Sequence, residues 1–409
     1  MDLEFFNDET RFYKITDDIV FDNEMNTIYS LKNLTESKFH IIKYFERPLF
    51  QRKITSECVQ INVSNFCNLN CTYCYRDKHN NEKMSVETFR KVLDWTINEY
   101  YPHAKQYVFS LSMSSESSVD LPILKQFNEE IEKYKKEHNI KVPLILWYMT
   151  NGTNITEEFL DFFKLHDKPW PTLWISIDGN EQANKDRVGT NYSKLLQNIK
   201  TCIDNGINLK ASVTLMPEHQ NILSTLEYLE GLGFSEYQFA PVRGDFYNNE
   251  NIESLLSEFD KVYDKLKETA LQKDFKYFKA LKGDSLTTPL QLLLQKSKVI
   301  KPCILSPVVD MNGEVYPCLY LKDSQFNFGN VENKAKVKEF NSFRVREDCK
   351  KCWARYLCGG TCYAENYLKN GDVYKTNEIS CKIRKHKIEK CVELFLFLKQ
   401  NNLLQQLIF

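Results

Sequence analysis

The sequence has no run of about 18 apolar residues, the length that a membrane-spanning helix needs. It has no excess of basic charge either: 54 Lys and Arg stand against 55 Asp and Glu, for a net charge of -1. A general binder of nucleic acid or of an anionic membrane surface requires such an excess, so neither is an expected partner. The opening residues, MDLEFFNDETRFYK, are acidic and polar where a secretory signal is basic and then apolar. Internal repeats and low-complexity tracts are absent as well. What the chain does have is 409 residues, 42% hydrophobic and 27% charged, the balance of a globular protein with two or three domains. It also has 13 cysteines. An odd count does not suit a closed disulfide scaffold, and a chain of this length does not need one. A cytoplasmic location is expected, where thiols stay reduced and clustered cysteines more often bind metal.

The cysteines are unevenly placed. Three fall in Cys67-Asn-Leu-Asn-Cys71-Thr-Tyr-Cys74, seven lie between Cys303 and Cys381, and only Cys202 lies between the two groups. A domain boundary near residue 300 follows. The spacing C-x3-C-x2-C can hold three irons of a cubane cluster and leave the fourth open, the arrangement that S-adenosylmethionine needs in order to chelate. A zinc knuckle is the alternative reading, but zinc prefers four ligands and only His79 is close in sequence. Residues 58–64, CVQINVS, read as a buried strand leading straight into this loop, and Tyr73 is an aromatic placed to pack on an adenine. With that context the run resembles the radical S-adenosylmethionine superfamily.

Strand and helix signals alternate beyond the loop. Helices are expected at 85–100, 121–138, 156–166, 192–205 and 221–232, with strands at 106–113, 142–149, 172–177, 208–215 and 236–241. Ser85 and Thr156 suit N-caps, and Gly206 and Gly233 suit C-terminal caps. The fold class is therefore α/β, a partial (β/α)6 TIM-like barrel with its chemistry at the C-terminal ends of the strands. Several strand ends are similar to superfamily patterns. The place of a Gly-Gly-Glu-Pro turn reads Ser114-Ser115-Glu116-Ser117, which keeps the Glu and loses both glycines. A Ser at positive φ carries a steric cost, so the backbone of this turn is open to question. Thr150-Asn151-Gly152 and Ser176-Ile177-Asp178-Gly179 follow, then Arg187. The resemblance implies that Ser115, Glu116, Asn151, Ser176, Asp178 and Arg187, with Tyr73, contact the cofactor, Ser176 and Arg187 at the methionine carboxylate. Read alone, TNG and DG are ordinary turns and Arg187 an ordinary surface charge.

The second cysteine set runs Cys303-x9-Gly313-x4-Cys318, then Cys349-x2-Cys352-x5-Cys358-x3-Cys362, then Cys381. Seven thiols in a short stretch leave little room for a conventional core, so metal is expected to supply folding energy. Cys349-x2-Cys352 alone fits a zinc ribbon. The whole pattern, with VYPC and CGGTC around it, resembles a SPASM domain. That resemblance implies two auxiliary 4Fe–4S clusters beside the S-adenosylmethionine-binding one, three in all. It assigns Cys349, Cys352, Cys358 and Cys381 to the distal cluster, and Cys303, Cys318 and Cys362 to the nearer one. No further cysteine lies in residues 290–302, so the nearer cluster is expected to have three cysteine ligands. Cys58, Cys202 and Cys391 remain as small hydrophobes.

The expected organisation is an N-terminal extension at 1–56, the barrel at 57–250, a helical connector at 251–300 and the SPASM domain at 301–409. Within the extension, strands are expected at 12–15, 19–21 and 27–31 and a helix at 37–45. This segment is a barrel cap or a remnant of a peptide-recognition module. The connector is expected to be helical at 251–271 and 281–297. The resemblance implies an enzyme that uses a 5′-deoxyadenosyl radical on a ribosomal precursor peptide, fed by a one-electron reductant such as flavodoxin or ferredoxin. The main expectation is a crosslink, either a thioether or a carbon–carbon or carbon–oxygen ring. The alternatives are an anaerobic sulfatase-maturating enzyme and a non-catalytic iron–sulfur partner. Leu319 stands after Cys318, where the sulfatase-maturating subfamily has an Asp base, and counts against the first alternative.

Overall fold

The computed structural model describes residues 12–16, 19–22, 27–30, 50–51, 57–74, 82–111, 115–164, 172–295, 297–299, 302–303, 306–333, 346–350 and 352–407. The helix expected at 37–45 lies outside them. In chain order the elements begin with strands β1 (Phe12–Thr16), β2 (Ile19–Asp22), β3 (Thr27–Ser30), β4 (Phe50–Gln51) and β5 (Glu57–Ile61). Then come α1 (Val86–Asp94), β6 (Tyr107–Ser110), α2 (Leu121–Glu137), β7 (Leu144–Trp147), β8 (Met149–Thr150), α3 (Glu157–Lys164) and β9 (Thr172–Ser176). Next are α4 (Glu181–Asn184), α5 (Tyr192–Asp204), β10 (Asn208–Leu215), α6 (Ile222–Gly231), β11 (Glu236–Pro241), α7 (Ile252–Leu271), α8 (Lys276–Ala280) and α9 (Thr288–Leu294). The chain ends with β12 (Ser297–Lys298), β13 (Val308–Val309), β14 (Val315–Tyr316), α10 (Glu347–Lys350), α11 (Arg355–Cys358), α12 (Tyr363–Asn370) and α13 (Glu378–Gln400).

Two compact units form. One holds residues 54–242 and 305–343, and the other holds 1–53, 243–304 and 344–409. In the first, β5, β6 and β7 pair in parallel in one sheet, and β8, β9, β10 and β11 pair in parallel in another. β7 and β8 are one strand interrupted at Tyr148, so six parallel strands make a continuous curved wall with helices between them. This is the expected α/β barrel. One face of the wall is apolar and sealed: Val59, Phe109, Leu173, Ile175 and Ala211 are all fully buried, while β9, β10 and β11 carry Ser176, Lys210, Ser212 and Gln238 on the other face. On the helical side, Phe89 of α1 stacks on Phe127 of α2 with ring centroids 4.0 Å apart. Ser85 caps α1 by accepting from Thr88 N at 3.0 Å, and Thr156 caps α3 by accepting from Phe159 N at 3.1 Å. Gly206 and Gly233 follow α5 and α6 with positive φ. The helix expected through residue 100 changes type instead: Trp95–Tyr100 is π-helical, with Trp95 stacked on Tyr100.

An unanticipated hairpin completes the first sheet. β13 pairs in parallel with β5, Val308 opposite Gln60, and β14 pairs antiparallel with β13. Residues from beyond position 300 thus extend the sheet that carries the first cysteine loop.

In the second unit β1, β2 and β3 form an antiparallel meander, β4 pairs with β12, and α7, α9 and α13 pack together. The helix expected over 281–297 is shorter than that. Gly283 takes φ +81°, the chain turns through Asp284–Thr287, and α9 starts at Thr288 with Pro289 in its first turn. On either side of the Cys303–Cys381 stretch, Leu286, Leu290, Leu293, Val392, Leu394 and Leu398 are fully buried and form a conventional core drawn from two distant segments.

One buried charge sits in that core. Lys387 donates to Ser285 Oγ at 2.9 Å, and burial pushes its pKa down to about 8. Between about 8 and the ordinary lysine value the unfolded chain binds a proton that the folded chain does not. Stability therefore rises with pH across that window, and the contribution is lost as pH falls through about 8. Urea unfolding of the wild type and Lys387→Met at pH 7.5 and pH 10 reads this directly. The wild type should gain up to about 3 kcal/mol relative to the variant on going to the higher pH. Parallel pH dependences would contradict it.

Candidate active site

The loop after β5 is held to the strand ends by a series of hydrogen bonds. Asn62 donates to Asp310 Oδ1 at 2.5 Å, and Ser64 Oγ donates to the buried Asp120 at 2.6 Å. Lys83 pairs with the other oxygen of Asp120 at 3.0 Å. Beyond that, Phe66 O accepts from Glu116 N at 3.1 Å, just before the first cysteine.

Glu116 is a hub. Its Oε1 accepts from Ser118 N at 3.0 Å, from Ser118 Oγ at 2.6 Å and from Thr150 Oγ1, and its Oε2 accepts from Asn151 N at 2.7 Å. The carboxylate therefore ties the end of β6 to the end of β8. Ser115, Glu116 and Ser117 are not among the described residues with positive φ, so the steric cost foreseen for Ser does not arise there. The turn after β8 does need its glycine. Gly152 has φ +77°, and a Cβ would lie 2.5 Å from Leu195 Cδ1. Asn151 Nδ2 reaches Asn68 Oδ1 at 2.8 Å and Cys67 Sγ at 3.8 Å.

A second buried carboxylate holds the other end of the loop. Asp178, after β9, accepts from Tyr73 OH with one oxygen and from Thr214 N at 2.8 Å with the other. Arg187 Nη1 lies 3.6 Å from Asp178 Oδ1 and donates to Tyr73 OH at 3.3 Å. The backbone of the same segment reaches the loop: Asp186 O accepts from Thr72 N at 3.0 Å, and Arg187 O lies 3.8 Å from Cys71 Sγ. Burial raises the pKa of Asp178, opposed by Arg187, Tyr73, the Thr214 N–H and His219. Burial likewise drives the Tyr73 hydroxyl well above its ordinary value, with Arg187 opposing. Arg187 is itself desolvated, yet Tyr73, Asp178 and Cys71 keep its pKa above the ordinary one. It is a buried, fixed cation.

Cys71, Tyr73, Asp178 and Arg187 are thus brought together, and Cys67 meets Asn151. Cys74 closes the loop with its N–H on Cys71 O at 3.2 Å. Ser115 is buried, and Ser176 is the last residue of β9, opposite Ser212 of β10. Four buried polar atoms past the strand ends have no hydrogen-bond partner: Ser117 Oγ, Arg187 Nε, His219 Nε2 and Gln220 Oε1. Buried donors and acceptors left this way mark a place for a polar ligand. A guanidinium, an imidazole and an amide oxygen suit a zwitterionic amino-acid group. The thiol loop and these atoms fit S-adenosylmethionine and the cluster that would carry it, with Cys67, Cys71 and Cys74 as the holding residues. Ser117, His219 and Gln220 were not anticipated; their only signal is position just past β6 and β10.

In the other unit Cys349, Cys352, Cys358 and Cys381 are electrostatic neighbours. Burial raises the pKa of Cys349, of Cys352 and of Cys381, opposed by Arg346 at the first and by Lys385 at the other two, and each also lies within electrostatic reach of Cys358. The buried Arg346 directs Nη2 to Cys349 Sγ at 3.5 Å and Nη1 to Thr361 O at 3.1 Å. Gly360 makes room for it, since a Cβ there would sit 2.5 Å from Arg346 Nη2. Arg384 is held charged by Cys358, Glu365 and Cys362 against its own burial. Four neighbouring thiols with arginines beside them are a donor set that suits a thiolate-bound metal. Among the described residues, however, no group of three or more His, Cys, Asp or Glu is drawn in to metal-bonding geometry. Cys303 is exposed, Cys318 follows β14, and Cys362 precedes α12. Cys58 is half-buried, while Cys202 and Cys391 are buried and pushed up to about 12 by desolvation, as small hydrophobes are.

No helix among the described residues is long and apolar enough to cross a membrane. The Radical SAM superfamily model matches residues 61–229. The chain is 26% identical over 333 residues to a cysteine-type anaerobic sulfatase-maturating enzyme of Clostridium novyi, spanning 73% of this chain and 86% of that protein. It is 22% identical over 355 residues to a serine-type anaerobic sulfatase-maturating enzyme of Bacteroides thetaiotaomicron, spanning 76% and 83%. Native anSMEcpe with bound AdoMet and Cp18Cys peptide has the same fold, with TM-score 0.69 and 20% identity over 85% of this chain and 99% of that one. SuiB of Streptococcus suis bound to precursor peptide SuiA gives TM-score 0.52 and 13% identity over 80% and 76%.

Glu116→Gln puts an amide NH2 where only donors converge. Thermal or urea unfolding should show a loss of about 1–3 kcal/mol. Unchanged stability would remove Glu116 as the tie between β6 and β8.

Proposed function

This chain carries a domain of the radical SAM superfamily over residues 61–229, and from that premise we propose that it is a peptide- or protein-modifying maturase of the sulfatase-maturating kind. In this reading it oxidises a Cys or Ser side chain of its substrate to an aldehyde. The supporting observation is the extent of the likeness. Two sulfatase-maturating relatives align over 83% or more of their own length, while the chain's own Cys67–Cys74 loop is pinned at the strand ends beside unpartnered polar atoms. These likenesses support the sulfatase-maturating alternative better than the ring-forming maturase expected from the sequence.

When bound at Cys67, Cys71 and Cys74, a 4Fe–4S cluster with S-adenosylmethionine supplies a 5′-deoxyadenosyl radical for hydrogen abstraction. The chain's residues do the rest. Asp178 and Tyr73 fix Arg187, whose unpartnered Nε would be available to the carboxylate of the cofactor's methionine part. Glu116 fixes the turns after β6 and β8, and Tyr73 would lie toward the adenine. The buried strand ends keep water from a reactive intermediate. Cys349, Cys352, Cys358 and Cys381 would hold an auxiliary cluster. A cluster held there would offer a route for the electron left on the product, and a small one-electron carrier would be the reductant.

One observation favours the crosslinking reading. Leu319 follows Cys318, so the Asp base expected of a formylglycine former is replaced by a side chain that cannot take a proton. The two readings separate in one assay. The anaerobically reconstituted enzyme is given S-adenosylmethionine, dithionite and peptides bearing the sulfatase-type Cys or Ser motif. An aldehyde trapped by a hydrazine supports the proposal. A thioether or ring with no aldehyde overturns it in favour of the crosslink. Under the same conditions Cys71→Ala should make no 5′-deoxyadenosine, and persistent turnover would remove the role of the triad.

A further inference from the structure

The N-terminal meander has no part in the chemistry described so far, yet one of its side chains touches two segments that bear thiols. The ring of Tyr13, on β1, lies flat on Trp353 with centroids 3.9 Å apart and planes within 5°. Trp353 is the residue after Cys352 and is almost fully buried. The hydroxyl of the same Tyr13 donates to Glu389 Oε1 at 2.7 Å. Glu389 lies on α13, two turns beyond Cys381 on the same helix. A single side chain therefore grips the Cys349–Cys352 turn through its face and the Cys381 helix through its hydroxyl.

The geometry of those two segments makes such a grip useful. The Cys349–Cys352 turn is short, with Cys352 N bonded to Cys349 O at 3.2 Å, and it leads into the four-residue helix α11 that ends at Cys358. Helix α11 packs on α9 and α13 and accepts from Val299 N at Tyr356 O at 2.8 Å, and Arg346 holds Cys349, while Tyr13 meets the chain just after Cys352. Cys381 lies in the first turn of α13, a 23-residue helix anchored further along by its packing on α7 and α9. A cavity of about 440 Å³ lies against this first turn, lined by Cys381, Lys385, His386 and Glu389 among others. The helix thus lacks full packing on the side where Cys381 must hold its place.

We propose that Tyr13 is a positioning residue for the four-thiol site, and that the N-terminal meander serves to clamp the Cys352 and Cys381 segments together. The proposal rests on the reading of Cys349, Cys352, Cys358 and Cys381 as a metal site. Removing groups that orient metal ligands costs metal affinity about 10- to 100-fold. Stacking and hydrogen bonding separate cleanly by substitution: Tyr13→Phe keeps the stack and loses the Glu389 bond, and Tyr13→Ala loses both.

Two readouts on the full chain test it. The first is release of iron and zinc to a chelator after anaerobic reconstitution. Tyr13→Ala should release about four irons at least tenfold faster than the wild type, with the remainder unaffected. Tyr13→Phe should lie between them. The second is alkylation mapped by mass spectrometry, which needs no metal. Cys352 and Cys381 should label at least tenfold faster in Tyr13→Ala, while the buried Cys202 and Cys391 stay protected. Metal release and labelling equal to the wild type would overturn the clamp. So would faster labelling of all four cysteines, which would mean general unfolding. Selective labelling of Cys352 and Cys381 in a chain that holds no metal there would keep the clamp and refute the metal reading instead.

Discussion

The buried carboxylate of Asp178 is the constraint on which the candidate site depends. It lies beneath the cysteine loop with both oxygens in use, one toward Tyr73 and one toward the Thr214 N–H beside Arg187. A carboxylate so desolvated is tolerated because a guanidinium and two donors face it. The pairing has a geometric result. Tyr73 sits between two cysteines of the loop, Asp178 follows β9, and Thr214 belongs to β10, so one side chain sets the height of the loop over two strands. Glu116 does the same for β6 and β8 at the other end of the loop. Short polar connections thereby acquire the rigidity of the barrel wall, which a loop-borne site otherwise lacks.

Cations recur next to thiols in both units. Arg187 reaches the loop of Cys71 through its carbonyl and its charge, and Arg346 points a guanidinium nitrogen at Cys349. Thiolates are the metal-binding form, and a neighbouring cation favours them where burial disfavours them. The two sites solve one electrostatic problem with different scaffolds. The barrel places its cation on a helix-flanking loop, and the second unit uses Gly360 to let Arg346 pass close to the backbone.

Much of this was legible in the residues. The barrel strands were readable from their buried apolar residues and regular alternation with helices, and those helices announced their ends with Ser85, Thr156, Gly206 and Gly233. The C-x3-C-x2-C loop pointed to its own chemistry through spacing. Other features left weaker traces. β13 and β14 have two residues each, too few for an alternation signal, so their addition to β5 could not be foreseen. The loss of glycines at Ser114-Ser115 looked costly because the sequence does not show that the Glu116 side chain holds the turn. His219 and Gln220 stand alone in the sequence and become notable only when their buried atoms are seen to lack partners. The helical character of 281–297 and of the segment around Cys391 was readable, but the packing of their leucines together was not, because the segments are about a hundred residues apart and no local period links them.

The central claim is that the Cys67–Cys74 loop presents one open iron to S-adenosylmethionine beside Arg187. Electron–nuclear double resonance of the reduced, reconstituted chain, with the cofactor labelled at its amino nitrogen and carboxylate oxygen, tests it most directly. The account predicts hyperfine couplings from both labels to the cluster, with the carboxylate coupling altered in Arg187→Lys. A reduced cluster that shows no coupling to either label would contradict it.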